Sequence, residues 1–370
     1  MNRWIKFGLS LAITVGCFWW TFKDTRWAEM FASLRSANYL WLLPYLGVLG
    51  VIHVSRTLRW GNLLSGMEKV PFKQLNEASA IGFMMLIILP FRLGEFARPF
   101  LIAQRSSIRR SAAMTSVVLE RIVDGIVIAV LLRVLLFFVP DTAKELSYVR
   151  WGANIMFLVF GGGLLFLIIA RWQHDRVIGL IRATLGKLAP GLTERGVHIV
   201  DGFVGALKQL PDGKNQALFV LWTAVYWTAN GVGMTLLAQA FDCGAGQALC
   251  QPMALTLFQG FVVLSVLIVG LMIPAAPGSA GTFQAFAVLG LSLFLPDAVV
   301  HASGVAFANV LWVVQMIQLI ATGLVFMVWS HASFKDIAGK LSDEQKEEKD
   351  TKDDKRDQKV AAEPKSAPSV

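Results

Sequence analysis

Apolar residues in this chain run in long unbroken stretches, with almost no strand-like alternation. Seven stretches reach the roughly 20 residues that a helix needs to cross a bilayer. They are Trp4–Phe22, Leu40–Leu58, Thr115–Val139, Trp151–Ala170, Gln216–Phe241, Met253–Ile273 and Ala306–Trp329. Two more, Ala78–Phe91 and Phe283–Leu295, are too short to cross alone as straight helices. The pattern predicts an all-α, polytopic membrane protein with about six to eight transmembrane helices. The first stretch has a basic start at Arg3 and Lys6 but ends Phe18-Trp19-Trp20-Thr21-Phe22, without a small-residue cleavage pattern, and reads as a retained anchor.

Both short stretches adjoin a backbone break. The first runs into Pro90-Phe91-Arg92-Leu93-Gly94-Glu95-Phe96-Ala97-Arg98-Pro99, the second follows Ile273-Pro274-Ala275-Ala276-Pro277-Gly278-Ser279-Ala280-Gly281-Thr282. Proline removes a backbone donor and glycine loosens a helix, so each break predicts two half-helices forming a re-entrant hairpin. Broken backbone at membrane depth is tolerated only where it is buried in protein or lines a wet cavity. Interrupted segments in corresponding halves of a chain point to an inverted repeat with a central site. Residues 1–334 are thus read as one membrane domain with halves at about 1–170 and 216–334. Joining them, 171–215 carries apolar residues at helical spacing (Val177, Ile178, Ile181, Leu185; Val200, Phe203, Val204, Leu207), read as amphipathic surface helices or a packed connector. From Lys335 to Val370 the tail is charged and poor in aromatics, and is expected to be disordered.

Composition agrees: 55% of the residues are hydrophobic, 16% are charged, and the mean hydropathy is +0.57. The net charge of +9 is not a nucleic-acid signal, because the basic residues flank apolar spans. With the N-terminus in the cytoplasm, the inner segments 1–6, 56–76, 92–111 and 171–215 hold 18 Lys and Arg, the outer ones 5. Both termini are therefore expected to be cytoplasmic, with the first hairpin entering from the cytoplasm and the second from outside. The three cysteines form no CxxC pair, the five histidines are scattered, and no hydrolase elbow, phosphate-binding loop or dinucleotide fingerprint is present. Enzymatic activity and a cofactor are not expected. Gly161-Gly162-Gly163 is read as a site of close helix packing.

Ionisable groups inside apolar spans need a reason. One cluster is Glu120, Arg121 and Asp124; the other is Arg92, Glu95 and Arg98 at the first break. Arg121 with Asp124, and Glu95 with Arg98, are three apart and within pairing reach on a helix. Opposed, the two clusters satisfy one another, either as a buried salt-bridge network or with arginines facing a cavity for an anionic headgroup, to which the guanidinium fork is suited. Together with Pro277, Gly278 and Gly281 of the second break they form the candidate substrate-binding set. Arg133 stands apart and is read as reaching towards the outer surface. Polar residues such as Thr223, Tyr226, Asn230 and Gln315 are expected mainly to bridge helices.

The runs Leu89–Phe100, Ser116–Asp124 and Ile273–Gln284 resemble the flippase-like family, the membrane domain of lysylphosphatidylglycerol synthase, whose members include a hopanoid-associated transporter. The resemblance covers residues 1–330 and implies a cytoplasmic-membrane protein of two pseudo-symmetric halves that moves a lipid, anionic or isoprenoid-derived, between leaflets. The synthase carries a soluble aminoacyl-transferring domain after its membrane part; here a tail of 36 residues follows, so no aminoacyl-lipid synthesis is expected. Pro99 after Arg98, and Gln284 where an acidic residue is frequent, depart from the family pattern. The leading expectation is a lipid translocase without its own ATPase. The alternative is a membrane scaffold for a lipid-modifying or glycosyl-transferring enzyme.

Overall fold

The computed structural model describes residues 3–89, 94–140, 145–173, 211–242, 252–273 and 277–330, with 176, 178, 179 and 183 between them. The chain enters through α1 (Arg3–Phe22), the short α2 (Trp27–Ser36) and α3 (Leu42–Leu64). The first hairpin is α4 (Phe72–Ile88) and α5 (Ala97–Ala103), followed by α6 (Arg110–Phe137) and α7 (Leu146–Trp172). Then come α8 (Gly213–Ala238) and the second hairpin, α9 (Leu257–Leu271) with α10 (Thr282–Leu291). The last helix, α11, covers Asp297–Trp329 and contains a π-helical turn at Val300–Gly304. Among the described residues there is no strand.

The outside of this bundle is apolar. Trp151, Leu158, Val328 and Trp329 are each at least 71% exposed, as suits helices whose solvent is hydrocarbon. Among the described residues three segments, Tyr39–Leu64, Leu146–Phe166 and Asp297–Trp329, are long and apolar enough to cross a membrane by length and composition. Two expectations about spans need correction. Met253–Ile273 yields only the 15-residue α9, about 22 Å long, which turns back into α10. The loop expected at 56–76 is helical through Leu64, so Arg56 and Arg59 belong to α3. The expected surface helices within 171–215, apart from the few residues named above, and the tail lie outside the described residues.

Helix contacts repeat under an exchange of halves. Replacing α3 with α8, α4 with α9, α5 with α10 and α6 with α11 maps the packing onto itself. Thus α3 packs on α8, α4 packs on α11 as α9 packs on α6, and each second hairpin arm packs on the helix that follows it. Pro90, Gly94 and Phe96 share their spacing with Pro277, Gly281 and Phe283, a trace of the same repeat. The halves are not separate bodies, because α1 packs on α10 and α2 on the π-helical turn of α11.

Positions along α11 show that the repeat is inverted. Gly323 lies against Met84 of α4, whereas Gly304 lies against Leu291 at the far end of α10. Between them, Trp312 and Met316 meet both Gly278 and, through it, Ile87 at the tip of the first hairpin. The two hairpins therefore have their bases at opposite ends of one long helix and their tips at its middle. Such tips require close backbone approach: a Cβ on Gly94 would lie 2.0 Å from the Leu86 backbone nitrogen. By contrast, a Cβ on Gly161, Gly162 or Gly163 meets nothing within 4 Å, so the close packing expected there is absent.

Gly94→Ala is accordingly expected to destabilise the protein by about 1–3 kcal/mol, because the obstruction is backbone and cannot rotate away. Gly161→Ala should be neutral or slightly stabilising. Thermal melting of the purified protein in detergent separates the two; equal melting points would contradict this account of the hairpin.

Candidate functional site

The centre of the charged cluster is a residue outside the sequence-derived set. Arg59 of α3 is 1% exposed and sits between both carboxylates of α6. Its Nε and Nη2 donate to Glu120 Oε1 at 3.0 and 2.6 Å, and Nη1 and Nη2 donate to Asp124 Oδ1 and Oδ2 at 2.6 and 2.7 Å. Glu120 and Asp124 can share one guanidinium because residues four apart present the same helix face. The other Glu120 oxygen, Oε2, accepts from Arg98 Nη1 at 3.1 Å. The two sequence clusters thus do meet, through Arg98 and Glu120. The pairing expected between Arg121 and Asp124 forms, at 4.0 Å, but Asp124 is shared with Arg59, which holds it in a two-point grip.

Arg98 is 2% exposed and lies behind the cavity wall, between the rings of Trp60 at 4.3 Å and Phe83 at 4.6 Å. Its Nε and Nη2 have no hydrogen-bond partner, so the ring faces supply much of its remaining electrostatic support. Gly82 makes room for it: a Cβ there would come within 2.3 Å of Arg98 Cγ.

In front of this network lies a cavity of about 500 Å³. Arg56, Arg59, Glu95, Glu120, Arg121 and Asp124 form its charged side, and Leu86, Ile268, Leu271, Met316 and Leu319 are among its apolar lining. Leu89 and Glu95 reach it from the first hairpin, Gly278 and Ser279 from the second, so both breaks open onto one space. Trp312 Nε1 donates to the Gly278 carbonyl at 2.8 Å and fixes the second tip. Gly278 and Ser279 have φ of 67° and 53°, a conformation that glycine adopts freely and serine does not.

The arginines divide into two kinds. Arg59 and Arg98 are neutralised by carboxylates. Arg56 makes no ion pair among the described residues and stacks on Phe83 at 4.1 Å and Tyr226 at 5.4 Å. The Arg121 side chain is 44% exposed. Among the cavity arginines, Arg56 and Arg121 therefore keep the most donor capacity, Arg121 meeting a carboxylate only at 4.0 Å.

Of the sequence-derived set, the cavity brings together Glu95, Glu120, Arg121, Asp124 and Gly278. Arg98 supports it from behind, Pro277 opens the turn at the second tip, and Gly281 packs instead on Thr14 and Phe18 of α1. Arg92 lies outside the described residues. Arg56, Arg59 and Phe83 were missed, although two arginines three apart near the end of an apolar stretch, opposite a Glu and Asp four apart, are a usable signal. Arg133 is not isolated, since it donates to Asn154 of α7 and lies over Phe157.

No curated protein and no solved structure matches the chain. A family model described as the lysylphosphatidylglycerol synthase TM region matches residues 7–318, which include both hairpins and every cavity residue named above except Leu319. The chain belongs to the family of lysylphosphatidylglycerol synthase membrane regions.

Proposed function

We propose that this membrane protein is a lipid translocase. It moves a phosphate-bearing lipid, anionic or isoprenoid-derived, between the leaflets of the cytoplasmic membrane, without an ATPase and without catalysing a reaction. The observation that carries this reading is the pairing of Arg56 and Arg121 with the tips of two oppositely entering hairpins around one cavity. A guanidinium beside broken helix ends suits a phosphodiester, because planar paired donors match phosphate oxygens. The apolar side of the same cavity suits the first carbons of a chain, while the remaining chain stays on the apolar exterior. Membership of a family named for a lipid synthase's membrane region fits a lipid-related role.

The proposed orientation puts both termini in the cytoplasm. Lys69, Lys73, Arg105, Arg109 and Arg110 gather around the base of the first hairpin, and 296–304 at the base of the second has no Lys or Arg. Moving Arg56, Arg59 and Arg98 from loops into the fold still leaves 15 inner basic residues against 5 outer ones. A cysteine placed in the tail should resist an impermeant thiol reagent in intact cells; labelling there would contradict the orientation.

Arg56→Gln and Arg121→Gln should each slow lipid movement at least about tenfold in a leaflet-exposure assay on reconstituted vesicles, roughly the 1.4 kcal/mol expected of one charge-assisted contact. Their melting points should stay near the parent value, since Arg56 makes no ion pair among the described residues and the partly exposed Arg121 reaches Asp124 only at 4.0 Å. If activity falls only in proportion to stability, the charges are structural and the headgroup reading is wrong.

Glu120→Gln should behave differently. It leaves Arg59 and Arg98 short of a shared counter-charge in a buried setting, a loss of about 3–5 kcal/mol. Reduced yield and a lower melting point are expected together with lost transport; a stable but inactive variant would mean that Glu120 serves the substrate directly.

A further inference from the structure

One buried histidine stands a helical turn before Arg56, the cavity-lining arginine of α3. His53 of α3 is 9% exposed, and its Nε2 lies 2.8 Å from Asn76 Oδ1 of α4. With the amide oxygen accepting, Nε2 carries the ring hydrogen and the lone pair falls on Nδ1. Nδ1 is buried and has no hydrogen-bond partner. Arg56 follows three residues later, so the two side chains are neighbours on one helix face, with Cβ atoms about 5–6 Å apart.

The charges around His53 are unbalanced. Arg56 on its own helix and Arg98 from α5 both act on it as cations. The carboxylates nearby are committed elsewhere: Glu77 of α4 is paired with Arg105, and Glu120 and Asp124 of α6 hold Arg59. From α8, Tyr226 lies under Arg56 and Arg59. A proton on Nδ1 would join two positive charges while Glu77, Glu120 and Asp124 are paired with arginines; Glu95, at the first hairpin tip, also lines the cavity. A phosphate on Arg56 reverses that balance.

We propose that His53 takes up a proton when a lipid phosphate binds at Arg56, so that the cavity carries an anion and a proton together. This rests on the reading of the cavity as a phosphate site. Linkage makes the effect reciprocal: if the phosphate raises the proton affinity of His53, the proton tightens phosphate binding by the same factor. Co-binding also lowers the net charge held in a low-dielectric space, and it gives a carrier without an ATPase a gradient on which to draw. A water molecule on Nδ1 would satisfy the ring equally well and would show no such linkage.

The test uses the full chain in phosphatidylcholine nanodiscs, titrated with short-chain phosphatidylglycerol, a phosphodiester that stays ionised across the histidine range near pH 6.5. Affinity should fall as the pH rises from about 5.5 to 8, by up to about tenfold per pH unit where one full proton is taken up. His53→Gln keeps a donor for Asn76 and should flatten that profile. Calorimetry of the unmodified protein in buffers of different ionisation enthalpy should show net proton uptake approaching one per bound lipid, a measurement independent of any variant. Binding without proton uptake, or a pH dependence that survives in His53→Gln, overturns the proposal and leaves the phosphate site standing. If phosphatidylglycerol does not bind at any pH, both readings fall.

Discussion

Two arginines and two carboxylates held away from water, where α3, α5 and α6 meet, constrain everything near them. An ion leaving water loses solvation worth several kcal/mol even after relaxation, and its partner restores this only at near-contact geometry. Arg59 reaches that geometry with four contacts of 3.0 Å or less, which fixes α3 against α6 to within a few tenths of an ångström. Arg98 then fixes α5. A helix of seven residues is marginal by itself, so the buried contact from Arg98 to Glu120 does much to hold this arm in place. Through α5 the network sets the first hairpin tip, and through the tip it sets the wall of the cavity.

The second hairpin meets the same demand without charges. In hydrocarbon every free backbone group needs a partner, and a break exposes several. Here Gln284 accepts from the Gly281 amide, Trp312 donates to the Gly278 carbonyl, and a capping box of Thr256 with Gln259 closes the start of α9. Three residues at positive φ, Gly278, Ser279 and Gly281, turn the chain within five positions. Two of them are glycines, for which the turn costs little; Ser279 bears the strain and faces the cavity.

What the sequence made legible follows the range of the physics. Proline and glycine act on their own backbone, so both breaks and the hairpins around them could be read locally. Charges inside apolar stretches announce partners, so the meeting of Arg98 with Glu120 could be anticipated as a class of contact. Arg59 could not be placed the same way: its partners are 61 and 65 residues distant, and an arginine near the end of an apolar window looks like the start of a loop. Local spacing gives only part of the pairing. Arg121 does reach Asp124, three residues on, but only at 4.0 Å, because a tertiary guanidinium with better geometry holds that carboxylate. Gly161-Gly162-Gly163 shows the same limit, because glycine reports what a backbone tolerates and not what approaches it.

The halves share a backbone plan but not its chemistry. In the first half a central helix, the helix after the hairpin and a tyrosine of the opposite central helix contribute Arg59, Glu120 and Tyr226. Exchange of halves maps these elements onto α8, α11 and α3, which contribute Asn230, Gln315 and Tyr45 around a void of about 40 Å³. Gln315 Nε2 donates to the Tyr45 hydroxyl at 3.0 Å, a neutral contact from α11 to α3, and no ion pair joins Asn230 of α8 to Gln315 of α11 as one joins Arg59 to Glu120. Neutral polar groups bear far less desolvation cost than ions, so the second half closes tightly where the first half must stay open around its charges. The larger cavity on the charged side follows from that difference. An inverted repeat alone would make the two sides of the cavity equivalent; the placement of the Arg59–Glu120–Asp124 network in the first half makes them unequal.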